Sequence, residues 1–272
     1  MSGQTFPRRR GYSLIELVVV IAIMGVLFAM TLAAITRMRE NALRSSCMNN
    51  MRNLGVAVLN YESTHGMLPP GAIQGPFEPF DVKEGVSHGL WALLLGQLNE
   101  AATARLYRLD LAYDHADNQP AVNGQIKVLQ CPAAKPGRIE QWEPPPHFGG
   151  VCDYGPIEVN PFLADIALID PVSNFGGTLP VNGQVRLVEI TDGASTTLLL
   201  GEAGGRPGMA WSSPMNLLGL RTFFGGSAGL HRSGVNACMA DGSVHFLRDR
   251  LDIRVLGRLA TRAGGETIDE EF

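Results

Sequence analysis

The chain has 272 residues, of which 45% are hydrophobic and 18% charged, a balance that excludes a disordered polymer. A net charge of −4 argues against a nucleic-acid binder leaning on phosphate contacts. Four cysteines without a Cys-x-x-Cys pair argue against a zinc finger and against a scaffold held by disulfides alone.

Residues 1–11 carry Arg8, Arg9 and Arg10 and no acid, so the chain beyond them is more acidic, at about −7. From Leu17 to Ile35 there are 19 residues without a charge, enough to cross a bilayer core as a helix. Lys and Arg stay on the cytoplasmic side, which places the remainder of the chain outside the cytoplasm. A cleaved secretory signal is the plain alternative, but its apolar region is usually shorter and ends at a small-residue cleavage site. Glu16 is the telling residue. A carboxylate at the head of an apolar run is costly unless it gains a partner.

Arg10-Gly11-Tyr12-Ser13-Leu14-Ile15-Glu16-Leu17 followed by that run resembles the processing site of type IV prepilins and type II secretion pseudopilins. The resemblance implies a prepilin peptidase and methyltransferase that cuts after Gly11 and methylates the new N-terminus at Tyr12. It also implies that Glu16 pairs with the terminal amine of a neighbouring subunit during assembly. Most members have Phe at the first mature position, so Tyr12 is a departure.

No proline occurs from Tyr12 to Tyr61, and Cys47, Met51, Leu54, Val58 and Tyr61 recur at helical spacing. One helix of about 50 residues, roughly 75 Å long, is expected, ending at Gly66 and Pro69-Pro70-Gly71. Its second half is expected to pack on the chain's own head rather than on a filament neighbour. Residues 72–88 read as a loop, Leu90 to Arg108 as a helix, and residues 126–130 as a short strand. The proline-rich stretch 131–161, with Pro144-Pro145-Pro146, reads as mostly irregular. Val185 to Ile190 and Thr196 to Gly201 read as strands. Val235 to Ala240 and Ser243 to Leu247 flank Asp241-Gly242 as a hairpin. A two-residue turn there would set Met239 opposite Val244 and Ala237 opposite Phe246, with Cys238 and His245 sharing the other face. Asp252 is expected to cap a last helix, which Gly264-Gly265 would stop.

Four downstream stretches narrow the resemblance: Arg44 to Gly55 with Tyr61 to Pro70; Leu129-Gln130-Cys131-Pro132; Ile190 to Glu202; and His231, nine residues, then Asp241-Gly242. Together they resemble a bacterial prepilin-like family of unassigned function with a C-terminal H-x9-D-G signature. Cys131-Pro132-Ala133-Ala134 departs from the Cys-Pro-Ser-Asp expected there. The resemblance implies a pseudopilin architecture and no enzymatic activity.

Three places in the chain offer candidate chemistry. His231 and Asp241, with His245 or Asp192, are candidate metal ligands, calcium above all because some pseudopilins hold it in a C-terminal loop. The plainer reading makes Asp241 a turn residue and has His231 tie the loop before the hairpin. Gly225-Gly226-Ser227-Ala228-Gly229 matches G-x-S-x-G, but a hairpin context gives Ser227, Asp241 and His245 poor triad geometry. In an oxidising compartment the cysteines can pair in three ways. Cys47 and Cys131 both lie in stretches that carry the resemblance, which makes their pairing the first choice and leaves Cys152 and Cys238 as a second pair. Cys238 with His245 as a metal site is a weaker rival.

The expected fold is α+β: leader 1–11, membrane half 12–36, head-packing half 37–70, and a head with an antiparallel sheet over 71–272. The expected function is a structural pilin-like subunit in a bacterial inner membrane, its head outside the cytoplasm. It would assemble with other pilin or pseudopilin subunits, with no cofactor and no nucleic acid. The alternative is a monomeric anchored binding module whose loops 72–88 and 131–185 carry the ligand surface.

Overall fold

The computed structural model describes residues 13–135, 137–142, 147–159, 176–202, 209–220 and 230–265. The expectations for Gly11, Tyr12 and the Gly225 to Gly229 motif lie outside these residues. The chain divides into two units, Met1–Ala42 and Leu43–Phe272.

Helix α1 runs from Leu14 to His65. Ser13 and Glu16 have the S-x-x-E spacing of a capping box, and the Ser13 backbone N–H donates to Glu16 Oε2 at 2.8 Å. Gly66, at φ +73°, ends the helix in the left-handed conformation, and its N–H donates to Glu62 O. Cys47, Met51, Leu54, Val58 and Tyr61 are all buried, so the stripe packs on the chain's own head.

The head is α+β. Strands β1 (Ala72–Gln74) and β2 (Ser87–Gly89) pair antiparallel, and α2 (Leu90–Leu93), α3 (Ala101–Leu106) and α4 (Gln119–Val122) follow. Strands β3 (Ile139–Trp142), β4 (His147–Cys152) and β7 (Met209–Ala210) make a three-stranded sheet. The larger sheet has the order β10-β9-β6-β5-β8, from β5 (Tyr154–Glu158), β6 (Leu198–Glu202), β8 (Leu218–Gly219), β9 (Gly234–Met239) and β10 (Val244–Arg248). Only its β5–β8 edge is parallel. Helix α5 (Ile253–Ala260) follows β10, its first turn capped by the Asp252 carboxylate, which accepts from Arg254 N at 2.8 Å.

The large sheet separates two cores. Cys238, Ala240, Leu199 and Leu200 join α1's stripe with Trp91 and Trp211. Val235, Ala237, Met239 and Leu198 join Leu256 and Leu259 of α5. The alternation along β9 follows from the two-residue period of a strand. The bulge between Leu198 and Leu200 lets the neighbouring Leu199 and Leu200 serve one core.

Several local expectations are corrected. The stretch 72–88 holds two strands, not a loop. The expected helix over 90–108 breaks into α2 and α3, because Gly96 and a left-handed Asn99 at φ +59° interrupt it. Residues 127–129 form a 3-10 turn instead of a strand, since Asp153 N takes the Leu129 carbonyl at 2.8 Å. The proline-rich stretch yields β3, β4 and β5. Pro156 is tolerated where the pairing of β5 passes from β6 to β8, a place where a missing N–H costs little. Residues 187–189 are a 3-10 turn as well. The β9–β10 hairpin has a three-residue turn with Gly242 left-handed at φ +84°, so Val244 faces Cys238 and His245 faces Ala237. That one-residue slip puts Cys238 and His245 on opposite faces and removes them as joint metal ligands.

Candidate functional site

Two regions carry the chemistry. The first is the start of α1. Among the described residues of the first unit, the apolar side chains of Leu14 to Met38 are exposed, and none of the most hydrophobic 18-residue window is buried. The helix is long and apolar enough to cross a membrane. Glu16 sits in its first turn, where the helix dipole favours an anion and the Ser13 N–H partners the carboxylate. The Ser13-x-x-Glu16 capping box was readable in the sequence, and it gives Glu16 a local partner in the single subunit.

The second region is buried inside the head. Cys47 of α1 and Cys131 form a disulfide that ties the helix to the segment after the 127–129 turn. That segment is clamped on both sides: Asn50 Nδ2 donates to Gln130 O at 3.0 Å, and Cys131 N donates to Asp153 Oδ2 at 2.8 Å. Arg138 pairs with the same carboxylate. Cys152 and Cys238 do not form the expected second bridge; both are buried free thiols. Cys152 lies against the Tyr154 carbonyl, and Cys238 lies beneath Gly55 of α1. Burial pushes the Cys238 thiol up to about 12 and raises that of Cys152 further, so both stay protonated and inert.

His231 packs on the disulfide, its Nε2 lying 3.5 Å from Cys131 Sγ and 3.3 Å from Glu202 Oε1. Glu202 ends β6, fully buried, and its Oε2 accepts from Asn236 N at 3.2 Å and Asn236 Nδ2 at 3.1 Å. Asp241 is not part of this group. It is exposed at the hairpin turn, where its Oδ1 accepts from Ser243 N at 2.8 Å and its N–H donates to Ala194 O. Gly242 supplies the left-handed turn residue. Asp192 clamps the Gly264 and Gly265 N–H groups at 2.6 and 2.9 Å, and His245 Nε2 lies against Ser243 Oγ. His231 is therefore brought to Cys131 and Glu202, away from the expected partners Asp241, His245 and Asp192. The sequence reading missed Glu202 as a site residue. Its signal was a carboxylate closing an otherwise apolar strand, Leu198-Leu199-Leu200-Gly201-Glu202.

A shallow cavity of about 620 Å³ lies where α1 ends, lined by Tyr61, His65, Phe80 and Leu109 among others.

An apolar helix headed by a processing-type motif and followed by an α+β head defines a pilin-like protein. The comparisons agree: residues 6–32 match the prokaryotic N-terminal methylation motif, which marks proteins processed by a prepilin peptidase and implies pilin-family partners. Residues 36–218 match the family described as "Protein of unknown function (DUF1559)", and the chain belongs to that family. The match ends before His231. No curated protein and no solved structure matches the chain.

Proposed function

We propose that the protein is a structural subunit without enzymatic activity. In this reading the chain is cleaved after Gly11, methylated on Tyr12, and anchored in the inner membrane with its head outside the cytoplasm. It then assembles into a type IV pilus-like fibre or a type II secretion pseudopilus. The observation that carries the reading is the conjunction at the start of α1: a methylation motif, then an apolar helical stretch with no buried residue in its most hydrophobic window and one carboxylate in its first turn. So much exposed apolar surface needs lipid or neighbouring helices to cover it. In the single subunit Glu16 is held by one backbone N–H. In an assembly a neighbour's terminal amine gives it a cation, which repays its desolvation and fixes the register between subunits.

The test combines terminal peptide mass spectrometry of membrane and sheared-surface fractions with Glu16→Ala. A wild-type peptide starting at Tyr12 with one added methyl, and loss of subunit–subunit crosslinks in the variant, are the expected results. An intact Met1 terminus or a start beyond Ile35 overturns the processing step, and unchanged crosslinking in Glu16→Ala overturns the assembly step. The cavity beside Tyr61 and His65 favours the second reading, an anchored binding module. That reading gains if neither the wild type nor the variant forms subunit–subunit crosslinks while both localise alike.

A further inference from the structure

We propose that Cys47, Cys131, His231 and Glu202 form a redox-gated zinc site, closed while the two cysteines are bonded and competent once they are reduced. The four side chains come from α1, the segment after the 127–129 turn, the residue run before β9, and the end of β6. One ligand atom from each lies within 4.8 Å of all the others, and all four residues are buried. Two sulfurs, an imidazole nitrogen and one carboxylate are a mixed four-donor set with two soft thiolates, which suits zinc and not calcium.

The distances agree with that chemistry. A tetrahedron built on Zn–S of about 2.3 Å and Zn–N or Zn–O of about 2.05 Å has S···N edges of roughly 3.6 Å and N···O edges of roughly 3.3 Å. Cys131 Sγ to His231 Nε2 is 3.5 Å, and His231 Nε2 to Glu202 Oε1 is 3.3 Å. The sulfurs must also move apart, as they do when their bond is cut, and the remaining ligand atoms lie within 4.8 Å of one another.

A second observation points the same way. Glu202 Oε1 is buried and accepts no hydrogen bond, although the imidazole nitrogen lies 3.3 Å away. The two atoms approach each other without the alignment of a donor and an acceptor. The two form an ion pair if His231 is protonated; beside a neutral imidazole the carboxylate oxygen has no hydrogen-bond partner, and a bound cation supplies one. Its sister Oε2 is fixed by two hydrogen bonds from Asn236, which hold the carboxylate as an outer-shell partner holds a metal ligand.

The chemistry balances with an external dithiol as reductant. Its two S–H bonds and the Cys47–Cys131 bond break, each cysteine sulfur takes one proton, and the dithiol's sulfurs join to each other. Zinc then displaces the two thiol protons as Sγ of Cys47, Sγ of Cys131, Nε2 of His231 and Oε1 of Glu202 coordinate it, with the imidazole proton on Nδ1, a buried nitrogen that has no hydrogen-bond partner among the described residues. An external disulfide reverses the step: it takes the two electrons of the Cys47 and Cys131 thiolates and, with two protons from solvent, leaves as a dithiol, while the Cys47–Cys131 bond forms again and the ion is released.

The test uses the full chain in a non-ionic detergent, oxidised or reduced with a phosphine, and titrated with Zn²⁺ and with Co²⁺ as a spectroscopic stand-in. Reduced protein is expected to bind one ion per chain with thiolate-to-cobalt charge-transfer bands, and oxidised protein at least about tenfold more weakly. Glu202→Gln, which keeps the side-chain shape, and His231→Ala are each expected to lower affinity by about tenfold or more. Cys152→Ala and Cys238→Ala are expected to leave it unchanged. X-ray absorption on the zinc form gives a readout that does not depend on any variant folding: two sulfur and two nitrogen or oxygen ligands are expected. Four sulfurs, equal affinity in the two redox states, or Glu202→Gln and His231→Ala both binding as wild type overturns the site.

Discussion

Removing the Cys47–Cys131 crosslink tests how much of the head's stability rests on tying α1 to the rest of the chain. The two residues are 84 apart in sequence. In the chain-entropy account, a closed loop of that size removes roughly 15 cal/mol/K from the unfolded ensemble, or about 4.6 kcal/mol at 25 °C. Unfolding of a head of about 230 residues carries an entropy near 0.5 kcal/mol/K, so the expected fall in melting temperature is about 10 °C. The assay is guanidinium and thermal unfolding of the full chain in detergent, with a chelator present to exclude metal rescue. The readout is fluorescence of the fully buried Trp91 and Trp211. Cys47→Ala, Cys131→Ala and the double variant should cost nearly the same, because either substitution alone opens the whole loop. Thiol titration of the unfolded wild type should find two thiols before reduction and four after it, since Cys152 and Cys238 are free. A loss below about 1 kcal/mol, or a double variant costing the sum of the singles, would refute the loop-closure reasoning.

Two further predictions concern packing and pH. Gly→Ala inside a helix ordinarily stabilises by up to about 1 kcal/mol, yet Gly55→Ala should destabilise by roughly 1–3 kcal/mol. A Cβ at Gly55 would meet Cys238 Sγ at 2.6 Å, and adding Cys238→Ala should recover most of the loss in denaturant titrations. Buried His88, held between Tyr107 Oη at 2.7 Å and the Leu109 carbonyl at 2.9 Å, has its pKa lowered from the ordinary 6.5 chiefly by burial. The unfolded chain therefore takes up the proton first. Stability should be full above about 6.5 and decline as pH falls from there toward the lowered value. His88→Gln should flatten that part of the stability–pH curve, and a variant curve parallel to the wild type's would contradict the assignment.

The sequence determined the features that depend on local chemistry. Glu16 and the uncharged run after it, the stripe from Cys47 to Tyr61, the Asp252 cap and the β9–β10 hairpin are each written within a few turns or one strand pair. Helix period, cap and hairpin obey rules that span fewer than about ten residues. Even there, one residue of turn length changed the outcome. With three residues in the turn and not two, the register slipped, and Cys238 went to the α1 core while His245 went to the other face. The tertiary structure alone decided whatever needed distant partners. Strands β4 and β5 arise from a proline-rich stretch because β6, β7 and β8, some 40 to 60 residues on, are there to accept them, and β3 pairs in turn with β4. The expected strand at 126–130 failed because Asp153 claimed its backbone. The cluster around the disulfide has the same origin. His231 lies 100 residues from Cys131, and its partner Glu202 sits on another strand. Spacing along a chain carries no information about such a meeting, because only the layering of α1 against the large sheet brings the four side chains to one point.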